Sequence, residues 1–157
     1  MPKGEKYLEC FEEISRFADD LVLKMRCVIH ENEADDEPST HIVVGEENFV
    51  VTVYWKLEGK LAHHFTGKWK VKIDLESIGT AREYSSKPVE VDMKPCKTDE
   101  YQQKFILGPG DVQPDPGGTV YIPAVTLTAI DPCGGEGHMW GYCVGSSVMF
   151  TPALAVA

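Results

Sequence analysis

The sequence comprises 157 residues, with 15 lysines and arginines against 25 aspartates and glutamates, a formal net charge of −10. Its 43% hydrophobic content suits one soluble globular domain whose core needs no disulfide support. The acidity opposes binding to phosphate backbones and anionic lipid, which argues against nucleic-acid and membrane-surface roles. No apolar run approaches the roughly 18 residues of a membrane span.

Much of the acidity lies early: residues 1–40 hold five basic and eleven acidic groups, a net of −6. The first residues, Met1 to Lys6, lead into an acidic amphipathic stretch rather than a continuous apolar segment, so export by the general secretory route is not expected. Within it, Tyr7, Phe11, Ile14 and Phe17 recur at helical spacing. Glu5, Glu9, Glu12 and Glu13 fall on the polar side, which predicts a short helix over residues 4–18.

Leu21 to Ile29 alternates in hydropathy and predicts a strand with one thoroughly apolar face. His30 to Ser39 breaks the pattern as an acidic loop, and Thr40 to Val44 is a short apolar run. From Phe49 to Glu76 two alternating segments, Phe49–Leu57 and Phe65–Leu75, flank the corner Glu58-Gly59-Lys60. They predict a long β-hairpin with one face on a core and the other in water.

Further strands are expected at Pro88–Met93, Tyr101–Leu107, Thr119–Ile130 and Met139–Phe150. The turn-rich segments Gly108–Gly118 and Asp131–Gly137 separate the later ones. Pro123 lacks an N–H donor, so it demands an edge position or a bulge. Seven or eight strands without βαβ alternation predict an all-β, antiparallel two-sheet sandwich, immunoglobulin-like in architecture on strand count alone. The expected organisation is an N-terminal helical arm at 1–18, a sandwich at 19–151 and a tail at 152–157.

The sequence carries no catalytic or cofactor fingerprint, and no cofactor is implied. Five cysteines (Cys10, Cys27, Cys96, Cys133 and Cys143) have no regular spacing and read as thiols in a reducing, cytoplasmic setting, with a Cys133–Cys143 bridge as the alternative. Cys133, His138 and Cys143 form the nearest approach to a thiol or zinc site. The Gly134-Gly135 turn could bring Cys133 and His138 together, although paired glycines more simply make a tight turn. His63 and His64 are weak metal candidates, since adjacent strand residues point to opposite faces.

Calcium is a second alternative, through Asp35 and Asp36 of the acidic loop with Asp111, Asp115 or Asp131, but no helix-loop-helix calcium pattern accompanies them. Lys68, Lys70 and Lys72 line one strand and read as protection against edge-to-edge pairing. Trp55 and Trp69 read as core, and Trp140 as exposed. The leading expectation is a non-enzymatic interaction module. It would present the acidic loop, Gly108–Gly118 and Gly134–Trp140 to a protein partner, and self-associate as a dimer through the apolar last strands. A metal- or thiol-dependent enzyme at Cys133, His138 and Cys143 is the alternative.

Overall fold

The computed structural model describes residues 21–30, 42–44, 48–98, 100–108, 110–145 and 147–152, with 42–44 and 137–140 described by backbone alone. The expected helix over residues 4–18, the acidic loop with Asp35 and Asp36, and the tail from residue 153 lie outside these residues. No helix among them is long and apolar enough to cross a membrane.

Among the described residues ten strands form two sheets: β1 (Val22–His30), β2 (Ile42–Val44), β3 (Phe49–Glu58), β4 (Lys68–Ile78), β5 (Tyr84–Ser85), β6 (Val89–Asp92), β7 (Glu100–Leu107), β8 (Thr119–Ile130), β9 (Glu136–Val144) and β10 (Val148–Thr151). The smaller sheet runs β1-β3-β7, wholly antiparallel. In the larger one β4 pairs with β8 from Val120 to Ile130, while β6 and β5 divide the far edge of β4. The other edge of β8 is shared between β10 at its start and β9 at its end, and β2 joins β10 in parallel. The all-β two-sheet sandwich is thus the fold.

The central pair differs from the expected hairpin. β3 and β4 lie in different sheets, and their apolar faces meet across the core, with the Trp55 and Trp69 ring centroids 6.3 Å apart. Residues 59–67 make the crossing through a 3-10 turn at Ala62–His64. A link this long lets the chain change sheets, whereas a two-residue turn would have locked the strands side by side. Nor does β3 leave one face in water: Val51, Val53 and Trp55 enter the core, while Val50, Thr52 and Tyr54 on the opposite face are buried too. Arg26, in register beside Tyr54, lies over its ring at 5.9 Å.

The last segment also departs from expectation, because it is two strands rather than one. After Val144 the chain passes Gly145 and re-enters the sheet as β10 on the same edge of β8. That seam accommodates Pro123 in a central strand. Its carbonyl accepts from the Gly145 N–H at 2.8 Å, so its nitrogen faces the same gap, between the reach of β9 and of β10, where no ladder donor is required. β4 is likewise no edge strand, which removes the protective role expected of Lys68, Lys70 and Lys72. Instead they pair with Glu90 at 3.2 Å, Glu136 at 2.8 Å and Asp74 at 3.4 Å.

The core joins Leu23, Met25, Val51, Val53 and Trp55 of the small sheet to Trp69, Val71, Ile73, Leu75, Tyr121, Val125 and Leu127 of the large one. At Gly141 of β9 the small sheet packs close: a β-carbon there would stand 2.5 Å from Met25 Sδ and 2.8 Å from Leu23 Cδ2.

Candidate functional site

Strand directions sort the loops into two groups. One end of the sandwich carries the 59–67 crossing, the 93–98 connection and the Asp131–Gly135 turn. The other end carries the 79–83 and 108–118 connections. β8 joins the two ends with twelve residues, so they stand about 36 Å apart at strand rise.

At the first end lies a cleft of about 380 Å³. Leu57, Ala62, Phe65, Trp69, Met93 and Tyr101 supply its apolar lining, and Glu58, His63, Cys96, Lys97 and Thr98 its polar rim. Its base is an aromatic cluster made by three strands. The Tyr101 ring from β7 stacks on Trp55 of β3 at 5.7 Å and meets the edge of Trp69 of β4 at 6.0 Å. Both tryptophans are fully buried, and among the described residues neither indole N–H finds an acceptor.

Tyr101 also holds the rim. Its hydroxyl accepts from the Lys94 N–H at 2.9 Å and donates to the Thr98 carbonyl at 3.4 Å, so one residue ties the 93–98 loop to the cluster beneath. That loop closes as a turn through the Lys97 and Thr98 N–H groups on the Lys94 carbonyl, and Thr98 Oγ1 accepts from the Glu100 N–H at 3.0 Å. The facing rim is the 3-10 turn, where His63 Nδ1 lies 3.2 Å from the Pro95 carbonyl. The Met93 N–H donates to the Gly67 carbonyl at 3.0 Å, linking the two loops below. Glu58 marks the edge of the cleft, forked between Lys56 Nζ at 2.9 Å and Lys24 Nζ at 3.4 Å. The Lys56 hydrogen bond holds its carboxyl below the usual carboxylate range.

Of the residues singled out in the sequence, His63 lies on this rim, and His64 is exposed beside it in the same turn. Cys133 is an exposed thiol at the same end, on the turn after β8, and Cys143 a buried thiol within β9. The two are not bridged. The backbone of His138 and Trp140 runs along β9 beside the end of β8. No cluster of three or more histidines, cysteines and carboxylates stands close enough for a metal among the described residues.

The aspartates fall apart into separate local roles. Asp131 Oδ1 accepts from the Cys133 and Gly135 N–H groups at 2.8 and 3.0 Å, building the β8–β9 turn. It stands at the opposite end from Asp111 and Asp115, so the three do not converge as calcium ligands. Asp111 Oδ2 accepts from the Gly108 N–H at 2.7 Å, and Asp115 Oδ2 from the Thr80 hydroxyl at 3.1 Å. Their loop is anchored rather than displayed. Val112 is buried, and the Tyr121 hydroxyl donates to the Arg82 carbonyl at 2.9 Å beneath it. Burial, with Asp115 nearby, pushes the Tyr121 hydroxyl above its usual range.

Sequence reasoning passed over the 93–98 loop. Its signal was an apolar pair, Met93 and Pro95, inside an otherwise polar connection that precedes a tyrosine.

No family model and no curated protein sequence matches this chain. Among solved structures it is similar to a β-glucosidase from Erythrobacter marinus, with 12% identity, a TM-score of 0.46, and coverage of 83% of this chain and 16% of that one. A β-glucosidase from Listeria innocua in complex with glucose gives 13% identity, a TM-score of 0.46, and coverage of 96% and 20%. The chain spans a fifth or less of either enzyme, and a likeness this distant carries no functional argument.

Proposed function

We propose that this immunoglobulin-like sandwich is a non-enzymatic, cytoplasmic interaction module. It would take an apolar side chain of a partner protein into the cleft between the 59–67 and 93–98 loops. The observation that carries this reading is Tyr101, which anchors the rim loop to a rigid, buried aromatic base and so supports a pre-formed apolar recess with a polar margin. Recesses of this size and character are the usual receptors for a single anchoring group. Loops held on a rigid scaffold are the usual carriers of recognition. The exposed thiols of Cys96 and Cys133 fit a reducing compartment. This moves the binding surface from the Gly108–Gly118 loop, which is anchored, to a loop pair at the opposite end.

Panning a random peptide display library against the intact chain tests the reading, with an Ala62→Trp variant that fills the recess as the counter-selection. Enriched peptides should share an apolar anchor residue and fail to bind Ala62→Trp. Peptides that bind both forms equally would refute the cleft as the site.

A further inference from the structure

The small sheet ends in β7. Among the described residues this strand pairs only with β3, in an unbroken register over eight residues free of proline and glycine. An open edge of this regularity is a template for another strand. Glu100, Gln102, Lys104 and Ile106 form its exposed face, and Ile106 is 59% exposed.

The Lys104 carbonyl accepts from the Gln103 side-chain amide at 3.0 Å, which marks it as turned away from the β3 ladder. Main-chain groups alternate along a strand, so those of Gln102 and Ile106 turn to the open edge as well, while at Glu100 the N–H and carbonyl on that side are bonded to the Thr98 hydroxyl at 3.0 Å, a contact an added strand would replace. Glu100 also lies 4.0 Å from Lys56 on β3, which keeps its carboxylate on the exposed face.

We propose that β7 pairs antiparallel with β7 of a second copy about a two-fold axis at Gln102, joining the two small sheets into one of six strands. The charge order of the edge selects this register. With Gln102 opposite the partner's Gln102, Glu100 meets the partner's Lys104 and Lys104 meets the partner's Glu100. Moving the axis to Gln103 sets Glu100 against the partner's Ile106 and loses both pairs. Moving it to Glu100 or to Lys104 sets like charges opposite one another, which is destabilising.

An edge guarded only against pairing needs charge of one sign. Opposite charges spaced symmetrically about a central residue are instead complementary to themselves, which is what an isologous contact requires. A second copy is therefore the occupant this edge fits. The proposal is independent of the cleft, and it places the dimer contact on the small sheet rather than on the β8–β10 surface.

Sedimentation velocity of the full chain across the micromolar range, at low salt, tests it with two charge reversals. Wild type should show a monomer–dimer equilibrium. Lys104→Glu alone sets two acidic side chains opposite Glu100 residues, and Glu100→Lys alone does the same with bases. Each should weaken dimerisation by roughly tenfold or more. An equimolar mixture of the two variants restores opposite charges across the interface and should recover the dimer, which a folding defect could not do. A monomeric wild type would overturn the proposal, as would single variants that dimerise like wild type, or a mixture that stays monomeric. So would a dimer abolished only by Tyr142→Asp with Val144→Asp, because those exposed residues belong to β9 in the other sheet.

Discussion

Gly67, the residue before β4, offers the sharpest test of how the sheet is built under the cleft. It holds φ at +121°, and a β-carbon there would stand 2.1 Å from the Ile130 carbonyl oxygen and 3.1 Å from the Asp131 carbonyl carbon. Both are main-chain atoms at the end of β8 and cannot swing aside as a side chain could. Gly67→Ala therefore adds two costs. The left-handed conformation costs an alanine about 1–2 kcal/mol. Relieving the clash must also push the start of β4 from β8 and stretch at least one ladder hydrogen bond, about 0.5–1.5 kcal/mol more with further loss of packing.

The expected total is about 2–4 kcal/mol, read as a fall of roughly 1–2 M in the urea midpoint. Gly79→Ala is the control: its φ of +133° carries the conformational strain, but nothing lies within 4 Å of the added carbon. It should cost only about 1–2 kcal/mol. If the two variants lose equal stability, β4 and β8 do not approach as described, and the base of the cleft is misplaced.

Tyr101→Phe keeps the ring on Trp55 but releases the Lys94 N–H and the Thr98 carbonyl. It should cost about 0.5–1.5 kcal/mol and accelerate tryptic cleavage after Lys97, measured by mass spectrometry. The carboxyls of Glu58 and Glu136, held below the usual 4.5 by Lys56 and Lys70, contribute stability that is present above that value and lost as pH falls through their lowered folded values. Lys56→Met should flatten the decline of the urea midpoint below about pH 4.5 by a fraction of a kcal/mol, since the pair is open to solvent. At the alkaline end, the raised hydroxyls of Tyr84, Tyr121 and Tyr142 contribute stability below pH 10 that is lost as pH rises through their folded values, which a pH series of urea midpoints should show. Iodoacetamide should modify the exposed Cys96 and Cys133 in the native protein and reach Cys143 only on unfolding, as mass spectrometry of quenched samples would show.

Alternation in the sequence located the strands well, because a period of two reports burial directly. Leu23 and Met25 in β1, and Trp69, Val71, Ile73 and Leu75 in β4, all reach the core their spacing implies. What alternation does not carry is which strand lies beside which. Phe49–Glu76 satisfies the pattern of a hairpin and of a crossing between sheets equally, and only the nine-residue link with its 3-10 turn separates them. The break between β9 and β10 was hidden for a related reason: Gly145, Ser146 and Ser147 are too short an interruption to separate two apolar runs by composition.

The candidate site was less legible. A cleft depends on side chains from the 59–67 and 93–98 segments meeting across three strands, and neither segment carries a spacing that announces the other. Asp111 and Asp131 have the composition of cation ligands but act within single turns, satisfying the N–H groups of Gly108, Cys133 and Gly135.

Amide and indole chemical-shift mapping of the intact chain titrated with N-acetyl-leucinamide tests whether the cleft over Trp69 and Tyr101 is the binding surface. Binding in the cleft should give saturable shifts confined to residues 61–65, 93–98 and 101 and to the Trp69 indole N–H, all abolished in Ala62→Trp. Shifts gathered instead around Ile78, Tyr142 and Val144 on the outer face of the larger sheet, or unchanged in Ala62→Trp, would contradict it.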